Sequence, residues 1–204
     1  MLKAFIFDMD GTLTEPYINW RDLRSSINCP LDKTIIEHID SLPPDEANRA
    51  NDILLKTEWE AGQYAEIREG ARELIDELKI HNIKLAVVTN NHGAAMQRVI
   101  ERLDRTFDAT FSRDDGPIKP EPYLIHQALK TLNTSPTETL SIGDSQYDLM
   151  ACAVANVQCI HLNDGTSEIN HTPCVTTLKE AMPLLHKHQY INPPSKSGFS
   201  PQSS

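Results

Sequence analysis

The chain has 204 residues, 39% of them apolar, and carries 19 basic against 29 acidic side chains for a net charge of −10. That suffices for one domain, or a core with a small insert, and for burying a sizeable core. The acidic balance argues against a nucleic-acid partner, which needs a basic face to displace counterions from phosphate, and the sequence has no run of 18 apolar residues to span a membrane.

Ala4-Phe5-Ile6-Phe7 is a short apolar run that stops abruptly at Asp8-Met9-Asp10-Gly11-Thr12. Continuous apolar character over so few residues predicts a strand buried on both faces of a parallel sheet. A strand this close to Met1 leaves no room for a targeting peptide. Residues 15–68 contain no convincing strand; they carry Trp20, Trp59 and a long helical stretch over 45–62, entered through Pro43-Pro44. Beyond them, helical patterns at 70–81, 93–103, 122–132, 147–155 and 178–188 alternate with strand patterns at 84–88, 139–142, 158–162 and 174–176. Alternation of this kind predicts an α/β parallel sheet, built from residues 1–14 and 69–190 and interrupted by a helical insert over 15–68. From Ile191 to Ser204 the composition turns to Pro, Ser, Lys and Gly and predicts a disordered tail. Cys29, Cys152, Cys159 and Cys174 form no C-x-x-C pair, so neither a zinc cage nor a disulfide framework is indicated. The expected compartment is the reducing cytoplasm.

In an open parallel sheet, ligands sit beyond the carboxyl ends of the strands. Three strand ends here present Asp8 and Asp10, Thr89 and Asn90, and Asp144 and Asp148, with Lys119 in the loop between the last two sets. Acidic groups converging on one edge repel each other unless a cation sits among them, and hard oxygen donors suit Mg²⁺. A carboxylate in such a place can attack a phosphoryl group while a second, protonated carboxyl supplies the leaving oxygen with a proton. Thr89 and the amides after it, at the start of a helix, are placed to bind an anion. Each position has an ordinary reading when taken singly: an Asp-Gly turn, a helix cap, a solvated lysine between prolines. Neither G-x-x-x-x-G-K-[ST], G-x-G-x-x-G, H-E-x-x-H nor G-x-S-x-G occurs, which argues against a nucleotide-cradling loop and a serine hydrolase.

Taken together, these positions resemble the haloacid dehalogenase superfamily of phosphohydrolases. Asp8-Met9-Asp10-Gly11-Thr12 is similar to its first motif and Thr89-Asn90 to its second. Lys119-Pro120-x-Pro122 is similar to the third motif of the phosphoglycolate phosphatase and β-phosphoglucomutase branch, and Gly143-Asp144-x-x-x-Asp148 to the fourth. The resemblance implies a Rossmann-like core with the insert as a cap domain. It implies that Asp8 is the nucleophile and Asp10 the general acid and base. Thr89, Asn90 and Lys119 would bind the phosphate, and Asp8, Asp10 (through its carbonyl) and Asp144 would hold Mg²⁺, with Asp148 supporting the metal water or Lys119. The implied function is Mg²⁺-dependent hydrolysis of a small phosphorylated metabolite through an aspartyl-phosphate. A sugar phosphomutase with the same intermediate and a non-catalytic binding scaffold are the alternatives; a dehalogenase is disfavoured because it has no need of Asp10. The branch often has glycine where this chain has Asn156, a residue that also tolerates the left-handed conformation. Trp20, Arg21 and Arg24 either reach a substrate or form a solvated face, and His92 either touches a leaving group or is a helix N-terminal residue in water.

Overall fold

The computed structural model describes residues 1–165 and 168–191. Six parallel strands form its sheet: β1 (Ala4–Phe7), β2 (Lys84–Val88), β3 (Ala109–Phe111), β4 (Thr139–Gly143), β5 (Gln158–Leu162) and β6 (Cys174–Val175). Their spatial order is β3-β2-β1-β4-β5-β6. The first strand therefore lies inside the sheet, with Phe5 opposite Leu85 on one side and Leu140 on the other. The chain winds outward from β1 in one direction and then crosses back to continue from its other edge. The point where the order reverses, between β1 and β4, is where an open α/β sheet leaves a crevice for ligands.

Pleating sends alternate side chains to opposite faces, and both faces are covered. Phe5, Phe7, Leu85, Val87, Leu140 and Ile142 pack beneath helices α4 (Ala71–Ile80), α5 (Gly93–Leu103) and α8 (Ala181–Lys187). Ala4, Ile6, Ala86 and Val88 pack beneath α6 (Tyr123–Leu132) and α7 (Gln146–Val154). This double burial explains why the strands read as continuous apolar runs. β3 was not expected from the sequence: three residues with one Thr are too few to show a period. The helical pattern at 178–188 resolves into a 3₁₀ turn, Leu178–Glu180, followed by α8. The expected tail lies, apart from Ile191, outside the described residues.

Between β1 and α4 come α1 (Trp20–Ser26), α2 (Ile35–Asp40) and α3 (Pro44–Tyr64). They share an apolar cluster of their own, formed by Leu23, Ile27, Ile35, Ile39, Ala50 and Leu54. The chain leaves and re-enters the sheet side by side: the Glu15 N–H donates to the Glu66 carbonyl at 2.8 Å and the Arg68 N–H to the Leu13 carbonyl at 2.9 Å. The C-terminal end of α3 docks on α5, where Arg102 donates to the carbonyls of Gly62 and Ala65 at 2.9 and 2.5 Å. Those carbonyls have no partners within the helix, and a guanidinium there also meets the negative end of its dipole. None of the described helices is long and apolar enough to cross a membrane.

Asn28, Asn82, Asn133 and Asn156 all have positive φ between 53° and 57°. Asn156, in the turn between α7 and β5, thus adopts the left-handed conformation its side chain tolerates. Asn156→Val should cost about 1–2 kcal/mol, whereas Asn156→Gly should be neutral or stabilising; thermal unfolding of the two variants checks this.

Candidate active site

The crevice at the β1/β4 switch point places Asp8 and Asp144 side by side, because each directly follows one of two neighbouring strands. Asp8, Asp144 and Asp148 each offer a carboxylate oxygen within 4.8 Å of the others. Lys119 is buried among them. Its Nζ donates to Asp8 Oδ1 at 2.6 Å, to Asp148 Oδ1 at 2.5 Å and to the Val88 carbonyl at 2.9 Å. All three protons of the ammonium are thereby used. The second oxygen of Asp148 accepts from the Ser145 N–H and Oγ at 3.1 and 2.5 Å in a capping box that opens α7.

Two glycines make room for these acids. Gly11 has φ +81°, and a Cβ on it would run into the Asp144 carboxylate; one on Gly143 would run into Asp148. At Gly11 both the backbone and the close approach call for glycine. Thr12 Oγ1 lies 3.5 Å from Asp144 Oδ1, and the Asp144 carbonyl is 3.2 Å from His161 Nε2.

The second strand end meets the first through Asp10. Its Oδ2 accepts from Asn91 Nδ2 at 3.1 Å and from Thr89 Oγ1 at 3.4 Å. The side chain of Asn90 points elsewhere: its Oδ1 accepts from the Lys119 N–H at 2.9 Å and its Nδ2 donates to the Lys119 carbonyl at 2.8 Å. Asn90 thus fixes the backbone of the lysine loop. The Lys119–Pro120 peptide bond is cis.

Electrostatically the cluster is short of positive charge. Burial, and then the Asp148 carboxylate, raise the pKa of Asp8 well above the ordinary range despite the opposing Lys119. The same two causes, in the same order, push Asp144 up to about 6. Burial also raises Asp10, against the hydrogen bond from Asn91. Burial alone would pull Lys119 down, but Asp148 and Asp8 reverse it and hold the ammonium charged far above its usual range. One cation among three clustered carboxylates leaves an excess of buried negative charge with oxygen donors only. That donor set fits a hard divalent cation.

The profile of the family described as haloacid dehalogenase-like hydrolase matches residues 14–162. The chain belongs to this family. A haloacid dehalogenase-like hydrolase domain-containing protein of Arabidopsis thaliana is 30% identical to it over 162 residues, 74% of this chain and 66% of that protein. A phosphoglycolate phosphatase of Pseudomonas syringae is 24% identical over 190 residues, 80% of this chain and 70% of that one. The crystal structure of a hydrolase from Pseudomonas syringae superposes with a TM-score of 0.77 at 21% identity, covering 91% of this chain and 98% of the other; that likeness bears on the fold. The span matched by the family profile begins just after Asp8–Thr12, so the case for Asp8 and Asp10 stands on their motif and their geometry.

In this haloacid dehalogenase-like hydrolase the crevice opens into a cavity of about 620 Å³ lined by Asp8, Asp10, Thr89, Asn90, Lys119 and Asp144, and also by α1 to α3. Trp20 and Arg24 line it; Arg21 is exposed and does not. His92 departs from both readings. It is buried, it is not among the cavity-lining residues, and its Nδ1 caps α5 by accepting from the Ala95 N–H at 3.4 Å. Burial, then Arg113, lower its pKa.

Sequence reasoning missed one pair in the cavity wall. Arg113 holds Glu58 through two hydrogen bonds, 2.6 and 2.8 Å, and donates to the Asn90 carbonyl at 3.1 Å. A signal for Glu58 was present: it follows Leu54 by four residues and so continues the buried stripe Ala50, Leu54, Glu58, Ala61 of α3. Arg113 follows the three-residue β3 and gave none.

A carboxyl whose pKa is raised by folding contributes stability that is fully present below its unfolded value, near 4, and lost as pH rises through the folded value. For Asp144 the loss spans about pH 4 to about 6. In EDTA at pH 7.5, Asp144→Asn should therefore stabilise the protein by on the order of 1–2 kcal/mol and remove part of the pH dependence over that window. A Tm at or below that of the wild type under those conditions refutes the electrostatic account.

Proposed function

We propose that this hydrolase is a Mg²⁺-dependent phosphatase that hydrolyses a small phosphomonoester through an aspartyl-phosphate on Asp8. The observation that carries the reading is the Lys119 bridge: a buried ammonium that orients one oxygen of Asp8 at 2.6 Å, in the lining of a cavity that Asp10 also lines.

The geometry supports the following roles. Asp8 attacks phosphorus with a carboxylate oxygen; the ester P–O bond breaks, and the departing oxygen takes the proton of Asp10. Burial raises the pKa of Asp10 and favours the protonated form this step requires. Asp10, now a carboxylate, accepts a proton from water as that water attacks phosphorus. The bond to Asp8 breaks, phosphate leaves, and both acids return to their starting states. Thr89 Oγ1, the Asn90 N–H and Lys119 are the donors for the phosphoryl oxygens, at the mouth of α5 where the helix dipole also favours an anion. Asp8, Asp144 and the Asp10 carbonyl would hold Mg²⁺, and a bound Mg²⁺ would supply neutralisation of the charge on the transferring phosphoryl group. Asp148 is committed to Lys119 and keeps its ammonium aimed at Asp8. We read the insert over 15–68, with α1, α2 and α3, as a cap that excludes water and shapes the space for the leaving group. Four free cysteines, three of them buried, suit a cytoplasmic setting.

Phosphate release from a panel of phosphomonoesters should require Mg²⁺, stop in EDTA, and fall roughly a thousandfold or more in Asp8→Asn with the fold intact. Retention of a tenth or more of the activity in that variant would sink the mechanism. Lys119→Met should lower kcat comparably, and acid-quenched wild-type enzyme should carry a covalent phosphate at Asp8 by mass spectrometry.

A further inference from the structure

We infer that the ester taken by this site has an uncharged, largely apolar leaving group. The inference rests on the phosphatase reading above and adds what lies on the far side of the phosphate.

The cavity has two chemically distinct parts. One is the polar set of Asp8, Asp10, Thr89, Asn90, Lys119 and Asp144. The other is apolar: Trp20 from α1, Ile35 and Ile36 from α2, Leu54 from α3, Ile118 beside Lys119, and the ring of Tyr147 from α7. The phosphate belongs with the first set, so the remainder of the substrate meets the second. At about 620 Å³ the space is within the range that encloses drug-sized ligands, far more than a two-carbon acid requires.

Charge points the same way. Among the described residues three cations line the cavity, and each already makes hydrogen bonds. Lys119 is held by Asp8 and Asp148. Arg113 is held by both oxygens of Glu58. Arg24 donates from Nη1 to the carbonyls of Pro30 and Lys33 at 3.0 and 2.9 Å. A carboxylate on the leaving group would have to take Lys119 or Arg113 from an acidic partner or share Arg24, whose Nη1 is already given to two carbonyls, and it would sit in a cavity lined by Asp8, Asp10, Asp144 and Glu58. An alkyl or aryl group gains by leaving water for Trp20, Ile36 and Leu54, by a factor of up to about four for each methylene buried.

The test is a homologous series, ethyl to hexyl phosphate, assayed with Mg²⁺ beside 2-phosphoglycolate. The leaving alcohols of the series differ little in acidity, so chemistry stays constant while apolar area grows. We expect kcat/KM to rise about two- to fourfold per methylene, mainly through KM, and 2-phosphoglycolate to be at least tenfold poorer than propyl phosphate. Ile36→Asp should flatten the series. Because that variant can perturb the fold, the matching n-alkylphosphonates, which cannot be hydrolysed, are titrated calorimetrically onto the Mg²⁺-loaded wild type. Their Kd should tighten along the series with an increasingly negative heat-capacity change. Turnover with no slope, or a preference for 2-phosphoglycolate, overturns the inference and leaves the phosphatase standing. Silence from every ester overturns the phosphatase; the phosphonate series then decides the apolar wall alone, with tightening supporting it and a flat series overturning it.

Discussion

The site depends on one ammonium group buried where the sheet reverses its winding. Taking the charges of Lys119, Asp8 and Asp148 out of water is costly, and only short, well-directed contacts offset it. The surroundings supply them. The Val88 carbonyl takes the third ammonium proton, Ser145 occupies the second oxygen of Asp148, and Asn90 grips the lysine backbone on both its N–H and its carbonyl. Gly11 and Gly143 are empty of side chain where the carboxylates pass. A network satisfied to this extent is rigid, and the charge it leaves over is negative. Rigidity and residual charge suit the metal-assisted phosphoryl transfer proposed for this site, to which the protein would contribute mostly positioning.

The helices over the cavity are tied to this network through a single long element. The first half of α3 shares its apolar cluster with α1 and α2, while its last turn is fastened to α5 by Arg102. Glu58 lies between the two and reaches Arg113, which in turn holds the carbonyl of Asn90, the residue that fixes Lys119. The cavity wall formed by α3 and the ammonium that orients Asp8 thus share a hydrogen-bonded connection. The Glu58–Arg113 pair thereby joins α3 to the loop after β3 and to the Asn90 carbonyl beside the carboxylate cluster.

Much of this was legible in the amino-acid order. Strands buried on both faces announce themselves as apolar runs, and each ends at the residue that enters the site, so Asp8, Thr89 and Asp144 could be named before any coordinate. What escaped was whatever lacks periodicity or depends on a partner far along the chain. β3 is too short to carry a pattern. His92 sits next to a helix start and reads as solvated, yet α3 packs over it. Asn90 falls within the anion-binding motif, but its amide serves Lys119, 29 residues away. Glu58 is a charge in the middle of a helix, and only its register with Leu54 betrays that it faces inward.

The central place of β1 also sets an order of events during synthesis. Ala4 finds its first neighbour at Lys84 and its second at Thr139. The apolar segment that leads to Asp8 is thus made before either neighbour, and waits until residue 84 for the strand on one side and until residue 139 for the strand on the other. Pairings this distant in sequence are slow to form and leave a sticky strand exposed meanwhile. Asp8 acquires its surroundings only when β4 closes against β1 and brings Asp144 and Asp148 to it, so the carboxylate cluster is put together by one of the most distant pairings in the chain.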